Sequence, residues 1–245
     1  MTNVLILGGT GDARRLAALS ASAGFEVISS LAGRTTLRQP LEGTVRVGGF
    51  GGVDGLVRYL REHEVDLLVD ATHPFAAQMS AHAAAAAALT GTPRLMIVRP
   101  AWVSVPGDRW VSVGTIEDAA AVLPGLAQRV FLAIGRQEVA TFAHLTELWF
   151  LCRMIESPDD GVILPPGEVL LDRAPFAEAE ERALLVTHRI EAVVTRNSGG
   201  DDAYPKLAAA RDLGLPVVII DRPALPPGKH VADVAGAMAW LAARV

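Results

Sequence analysis

The sequence predicts an α/β protein built as two Rossmann-like parallel-sheet halves facing each other across a cleft. Three observations carry this. Short apolar runs alternate with longer helical stretches along the chain, a rhythm that implies parallel strands joined by right-handed crossovers. The rhythm restarts after Pro106-Gly107-Asp108. The halves also echo one another. Pro93, an apolar run and Arg99-Pro100-Ala101 correspond to Pro216, an apolar run and Arg222-Pro223-Ala224, and a Pro-Gly turn, a short valine segment and a helix follow each. The expected division is an N-terminal domain at 1–105 and a C-terminal domain at 106–245.

In the first half, strands are expected at 4–7, 26–31, 45–47, 66–69 and 95–98, with helices at 12–23, 54–62 and over the alanine-rich stretch ending near 89. In the second half, strands are expected at 130–134, 149–154, 192–195 and 217–220, with helices at 137–145, 177–188 and 204–213. The stretch 157–171, with Pro158, Pro165 and Pro166, reads as an irregular loop long enough to act as a lid or to touch substrate.

Composition narrows the function class. The 245 residues are 51% hydrophobic and 20% charged, which is globular rather than disordered. A net charge of −5 speaks against a broad nucleic-acid face, though a local basic pocket remains compatible with it. Cys152 is the single cysteine, so no internal disulfide or cysteine metal cluster is expected and a reducing compartment is implied. Met1-Thr2-Asn3 leads into an apolar run without a basic flank, and the alanine-rich stretch is too short to span a bilayer. The expectation is a cytoplasmic protein without membrane, nucleic-acid or metal ligands.

The chemistry-bearing motifs fall at strand C-terminal ends, where ligands of open α/β sheets sit. Gly8-Gly9-Thr10-Gly11-Asp12 joins the first strand to the first helix. Glycines let backbone approach a phosphate, and the helix start supplies N–H donors and the positive dipole end. Gly9 and Gly11 fit the dinucleotide pattern, but Arg14 stands where its third glycine belongs, so a plain tight turn is the competing reading. NAD enzymes place an acid at the end of the second strand to hold the ribose 2′-hydroxyl. Here Ser29-Ser30-Leu31-Ala32-Gly33-Arg34-Thr35 stands instead, which suits a 2′-phosphate and makes NADPH the expected cofactor. Gly51 and Gly52 follow the third strand, and Thr72, His73 and Pro74 follow the fourth, with Pro74 placed in a helical first turn. These complete the cofactor set of Gly9, Thr10, Gly11, Arg34, Thr35, Gly51, Gly52, Thr72, His73 and Pro74. In the second half, Arg136, Arg153, Arg196, Asn197, Ser198, Gly199 and Lys206 lie at or just after strand ends and read as anion contacts.

At Leu7-Gly8-Gly9-Thr10, Ser30-Leu31-Ala32-Gly33-Arg34-Thr35, Asp70-Ala71-Thr72-His73-Pro74-Phe75-Ala76 and Asn197-Ser198-Gly199-Gly200, the chain closely resembles the precorrin-6A reductase family. The resemblance runs along nearly the whole chain, and the Asp70–Ala76 run is its most specific piece. The family often has glutamate at Asp12, lysine at Arg196 and glycine at Ala174. The resemblance implies NADPH-dependent reduction of a double bond in an anionic corrin precursor during cobalamin synthesis, with transient contact with neighbouring pathway enzymes. A substrate with many rim carboxylates needs locally placed cations, for which Arg136, Arg153, Arg173 and Arg196 are candidates. Reduction also consumes a proton, and Asp172, His73 and Tyr204 are candidate donors. A short-chain dehydrogenase is excluded: four residues beyond Tyr59 and Tyr204 lie His63 and Ala208 instead of lysine. The remaining rivals are another Rossmann-type NADPH oxidoreductase and a non-catalytic NADPH sensor, which would bind cofactor without oxidising it when a corrinoid is supplied.

Overall fold

The computed structural model describes residues 1–33 and 41–244. The chain forms two compact units, Met1–Pro100 with Pro223–Val245, and Ala101–Arg222. Among the described residues no helix is long and apolar enough to cross a membrane.

The first unit opens with β1 (Asn3–Leu7), whose Val4-Leu5-Ile6-Leu7 run is almost wholly inaccessible to solvent. Apolar residues at consecutive positions suit a strand covered on both faces. It is followed by α1 (Gly11–Ser22), β2 (Glu26–Leu31), β3 (Thr44–Val47), α2 (Gly52–Glu62), β4 (Leu67–Asp70), α3 (Ala77–Thr90) and β5 (Arg94–Ile97). Thr10 starts α1: its hydroxyl accepts from the Ala13 amide at 3.1 Å, satisfying one of the donors a helix start leaves unpaired. Ala83, Ala86 and Ala87 of α3 pack against Leu5, Leu7 and Leu68, so small side chains bring this helix close to the sheet.

The second unit contains β6 (Arg109–Val113), α4 (Ile116–Val122), β7 (Arg129–Ala133), β8 (Trp149–Met154), β9 (Gly167–Leu171), α5 (Glu178–Thr187), β10 (Ala192–Arg196), α6 (Pro205–Asp212) and β11 (Pro216–Ile220). The chain then forms β12 (Lys229–Val231) and α7 (Val234–Ala242). Among the described residues every strand pairing is parallel. The two six-stranded sheets run β12-β5-β4-β1-β2-β3 and β6-β11-β10-β7-β8-β9. Both follow the doubly wound order 3-2-1-4-5-6. The sixth strand of each is supplied by the segment that follows the other unit's fifth strand. The valine segment after β5 pairs with β11, and the one after β11 pairs with β5. Helix α7 accordingly buries Val234, Ala237 and Leu241 in the first unit's core.

This exchange changes the expected boundary. Residues 223–245, assigned by sequence to the C-terminal half, belong to the first unit, because β12 and α7 find their partners there. Two further expectations differ. Residues 137–145 form only a single 3-10 turn, Val139–Phe142; Val139 and Phe142, three apart, are both buried, a spacing that a 3-10 turn satisfies as well as an α-helix. The expected loop 157–171 ends in strand β9, an exposed edge strand announced by Pro165-Pro166. Gly167 has φ +142°, and a Cβ there would lie 1.9 Å from the Phe150 carbonyl oxygen, so only glycine can start this strand.

Candidate active site

In the first unit, β1 lies between β2 and β4, where the strand order reverses and ligands of this fold enter. Leu7 is in register with Ser30 and Asp70, so the loops leaving the three strands emerge side by side. Thr10 ties two of them: its Oγ1 donates to the Ala71 carbonyl at 2.8 Å while accepting from Ala13. The hydroxyl is thus engaged within the fold, and what Thr10 leaves for a ligand is backbone. Gly9 adopts φ +108°, and added Cβ atoms at Gly9 or Gly11 would meet nothing within 4 Å. The same holds for Gly51 (φ +79°) and Gly52 (φ +91°) ahead of α2. Open space over bare backbone next to a helix start fits a pyrophosphate. Asp12 at the start of α1 pairs with Arg99 at 3.7 Å.

Beyond β2 the chain presents Ala32 and Gly33, with no acid for a ribose 2′-hydroxyl; Arg34 and Thr35 lie outside the described residues. Arg46, which sequence reading passed over, is in register with Ser30. Its guanidinium donates to the Gly48 and Gly49 carbonyls and to Ser30 Oγ, and lies 3.8 Å over the Phe50 ring. The alternation in Thr44-Val45-Arg46-Val47 announces a strand carrying a cation, but its place beside the end of β2 is set only by the β2–β3 register.

After β4, Thr72 donates from both N and Oγ1 to Asp70 Oδ1, at 3.1 and 2.7 Å. The Phe75 amide donates to His73 Nδ1 at 3.3 Å, so a neutral His73 carries its proton on Nε2. Pro74 sits in a turn rather than in a helical first turn, since α3 begins at Ala77. The Ala76 amide closes that turn onto the His73 carbonyl at 2.8 Å.

In the second unit the candidate cations are mostly held by acids. Arg136 donates to the Ser157 carbonyl at 3.0 Å and pairs with Asp159 at 3.2 Å and with Glu156 at 4.0 Å. Arg196 Nη2 pairs with Glu138 Oε2. Arg153 is a correction: it is buried, bonded through both Nη atoms to Glu181 and stacked on Phe176, so it is not available to a carboxylate from solvent. Lys206 is a second correction. It is 3% exposed, donates to the Ala203 carbonyl and lies 4.7 Å from the Trp102 ring. Burial, reinforced by the Arg153 charge and opposed by Glu181, pushes its pKa down to about 7.

Asn197 is the third correction. Its Oδ1 accepts from the Trp102 amide at 2.8 Å, its Nδ2 donates to the Trp102 carbonyl at 3.1 Å, and its carbonyl accepts from Arg222 Nε at 2.7 Å. Both ends of the Ala101–Arg222 segment are therefore fastened to one residue at the end of β10. The Gly199-Gly200 turn (φ +68° and +78°) lets the Gly200 carbonyl accept from Trp102 Nε1, and the Ser198 amide donates to the Arg196 carbonyl. Tyr204 Oη accepts from Arg211 at 2.6 Å. Asp172 is exposed just past β9, its carboxylate accepting from the Arg173 amide. Arg173 differs from Arg136, Arg153 and Arg196 in that no ion pair to it occurs among the described residues; its Nε, like that of Arg196, is buried without a hydrogen-bond partner.

Residues 3–242 match the family model described as precorrin-6x reductase CbiJ/CobK. The chain is 53% identical over 244 residues to the precorrin-6A reductase of Rhodococcus erythropolis, covering 98% of each. It is 46% identical to that of Rhodobacter capsulatus, covering 99% of this chain and 96% of the relative. A solved structure, CobK precorrin-6A reductase, superposes with a TM-score of 0.93 at 45% identity, over 99% of this chain and 97% of the other. The chain belongs to the precorrin-6x reductase (CbiJ/CobK) family, oxidoreductases that act on a corrin precursor in cobalamin biosynthesis.

Proposed function

We propose that this enzyme uses NADPH to reduce a double bond of precorrin-6A, giving precorrin-6B, in the cytoplasm. The observation that carries the cofactor reading is the combination at the β1–β2 edge. Open glycine backbone stands at a helix start, while the end of β2 lacks an acid, has Arg46 beside it in the sheet and is followed in the sequence by Arg34. Backbone at Gly9, Thr10 and Gly11 would receive the pyrophosphate. Arg34, Thr35 and Arg46 would receive the 2′-phosphate. Gly51 and Gly52 would let an adenosine lie close to the chain, and Thr72, His73 and Pro74 would border the nicotinamide. When bound, NADPH supplies the hydride; the protein's part is to orient the two ligands and to admit a proton.

Among the three donor candidates, His73 is favoured. Its Nδ1 is occupied as an acceptor, so the neutral ring can offer Nε2–H to a ligand as a hydrogen-bond donor, and proton delivery requires the Phe75 bond to open so that Nδ1 takes up a proton from solvent. Asp172 is exposed, and Tyr204 Oη is engaged by Arg211. The macrocycle's rim carboxylates are assigned to Arg173, with Ser198 and the part-exposed edges of Arg136 and Arg196 as further contacts.

The test is NADPH oxidation followed at its absorbance band, with and without precorrin-6A and with NADH in parallel. Oxidation that requires the macrocycle and is faster with NADPH supports the reading. Tight NADPH binding without oxidation in the presence of precorrin-6A would make the chain a sensor and overturn it.

A further inference from the structure

The most specific stretch of the sequence begins with Asp70, to which nothing so far gives a task. Asp70 ends β4 and is 0% exposed. In the sheet it is in register with Leu7 and Met96, both buried and apolar. Its Oδ1 accepts twice, from the Thr72 amide and the Thr72 hydroxyl. Its Oδ2 is buried and has no hydrogen-bond partner. The cation nearby is Arg94, whose pKa burial lowers and the Asp70 charge raises.

Such a carboxylate is costly. A buried charge is tolerated when paired and fully hydrogen-bonded, and an apolar residue of similar volume usually serves stability as well or better. The backbone does not need it: the strand's ladder continues past Asp70 through the Ala71 amide to the Leu7 carbonyl. What the side chain does is hold Thr72, two residues on, whose hydroxyl also lies 3.4 Å from Ser80 Oγ of α3. With Ala71 tied to Thr10 and the His73 carbonyl tied to Ala76, Asp70 supplies the two hydrogen bonds that hold Thr72 between them.

We propose that Asp70 is a positioning residue for the reduction, fixing the Thr72–His73 turn through Thr72 without itself touching either ligand. This rests on the reading that the turn borders the nicotinamide. Because Asp70 acts as an acceptor at one oxygen only, an asparagine keeps its function: the amide oxygen takes both Thr72 bonds.

The experiment compares Asp70→Ala, Asp70→Asn, Thr72→Val, Thr72→Ser and His73→Ala in the full chain. It measures NADPH dissociation constants, kcat and KM for precorrin-6A, and melting temperature. Asp70→Ala and Thr72→Val are expected to lower kcat roughly tenfold or more, the factor that 1.4 kcal/mol of misplacement produces. Asp70→Asn and Thr72→Ser should restore kcat to within about threefold of wild type. A folded Asp70→Ala with unchanged kcat and NADPH affinity overturns the proposal. So does Asp70→Asn as impaired as Asp70→Ala, since the charge and not the restraint would then matter. Should Asp70→Ala fail to fold, the Thr72 pair decides: equal kcat in the valine and serine variants overturns it. His73→Ala separates the two levels. If it and all the Thr72 variants leave binding and turnover unchanged, the turn does not border the ligands and the underlying reading fails. If His73→Ala impairs turnover while the Asp70 and Thr72 variants do not, Asp70 alone is wrongly placed.

Discussion

In the first unit, β1 and β3 open into Gly8–Gly11 and Gly48–Gly52, loops with open backbone at Gly9, Gly11, Gly48, Gly49, Gly51 and Gly52, and β4 opens into the Thr72–Phe75 turn. In the second unit, β7 and β10, which hold the places of β1 and β4, lead into Arg136 and carry Arg196, and β8, in the place of β2, carries Arg153. Each of these arginines meets an acid from another part of that unit: Glu156 and Asp159, Glu181, and Glu138. One strand order therefore supports two ways of finishing a sheet edge. Glycine loops leave backbone donors open to a ligand. Arginines clamped by carboxylates stiffen long connections where helices are missing, as between β7 and β8, where only a 3-10 turn bridges the strands. A strand-end cation is thus no evidence of a ligand until its partners are known, and by that criterion Arg173 stands apart.

The comparison is broken most severely at the Arg153–Glu181 pair. Glu181→Ala leaves a buried, uncompensated guanidinium and should destabilise the protein by about 3–5 kcal/mol in urea unfolding. The double change Arg153→Met with Glu181→Leu should recover most of that loss. Equal stability of wild type and the single variant would mean that the pair is hydrated and does not support the second unit.

Lys206, beside the same pair, sharpens the picture through pH. Its pKa is about 7 in the fold against 10.5 for an ordinary lysine, so the unfolded chain binds more protons between these values. The stability deficit caused by burying the charge is complete below about pH 7 and is relieved as pH rises toward 10.5. Measured against Lys206→Met at each pH, the wild-type melting temperature should climb from about pH 7 toward pH 10.5. A constant difference between the two proteins would show an amine with its ordinary pKa, hydrated in the fold.

How much of this was legible in the sequence depended on the range of the interaction. Val4–Leu7, Ala192–Thr195 and Val217–Ile220 read as strands because buried parallel strands are continuous runs of branched residues. The glycine turn after β1 was legible because its chemistry is local. The exchange of β6 and β12 was not, since each is a short edge strand whose partner is chosen by tertiary structure. Glu181 lies 28 residues from Arg153, and Trp102 lies 95 from Asn197, so nothing in the neighbourhood of Arg153 or Asn197 announced that their polar groups were already committed. The same blindness hid Arg46, which only the β2–β3 register brings beside Ser30.

A smaller effect is expected at Arg173. Arg173→Ala should raise the KM for precorrin-6A by roughly 10- to 150-fold, the equivalent of about 1.5–3 kcal/mol for a lost charge-assisted hydrogen bond. NADPH affinity should stay nearly intact. Steady-state kinetics with NADPH saturating, alongside a cofactor titration, checks both; a loss confined to NADPH would move Arg173 out of the substrate's reach.

The central claim, that the glycine-lined edge of the first unit receives NADPH by its 2′-phosphate, is tested most directly at Arg34. Paired titrations of NADPH and NADH against wild type and Arg34→Ala, at fixed ionic strength, are the measurement. NADPH binding is expected to weaken by about 1.5–3 kcal/mol, roughly 10- to 150-fold, with NADH affected far less because it lacks the phosphate. Loss of both cofactors by the same factor would place Arg34 on the shared pyrophosphate or in the scaffold, and would contradict the assignment of the β2 end to the 2′-phosphate.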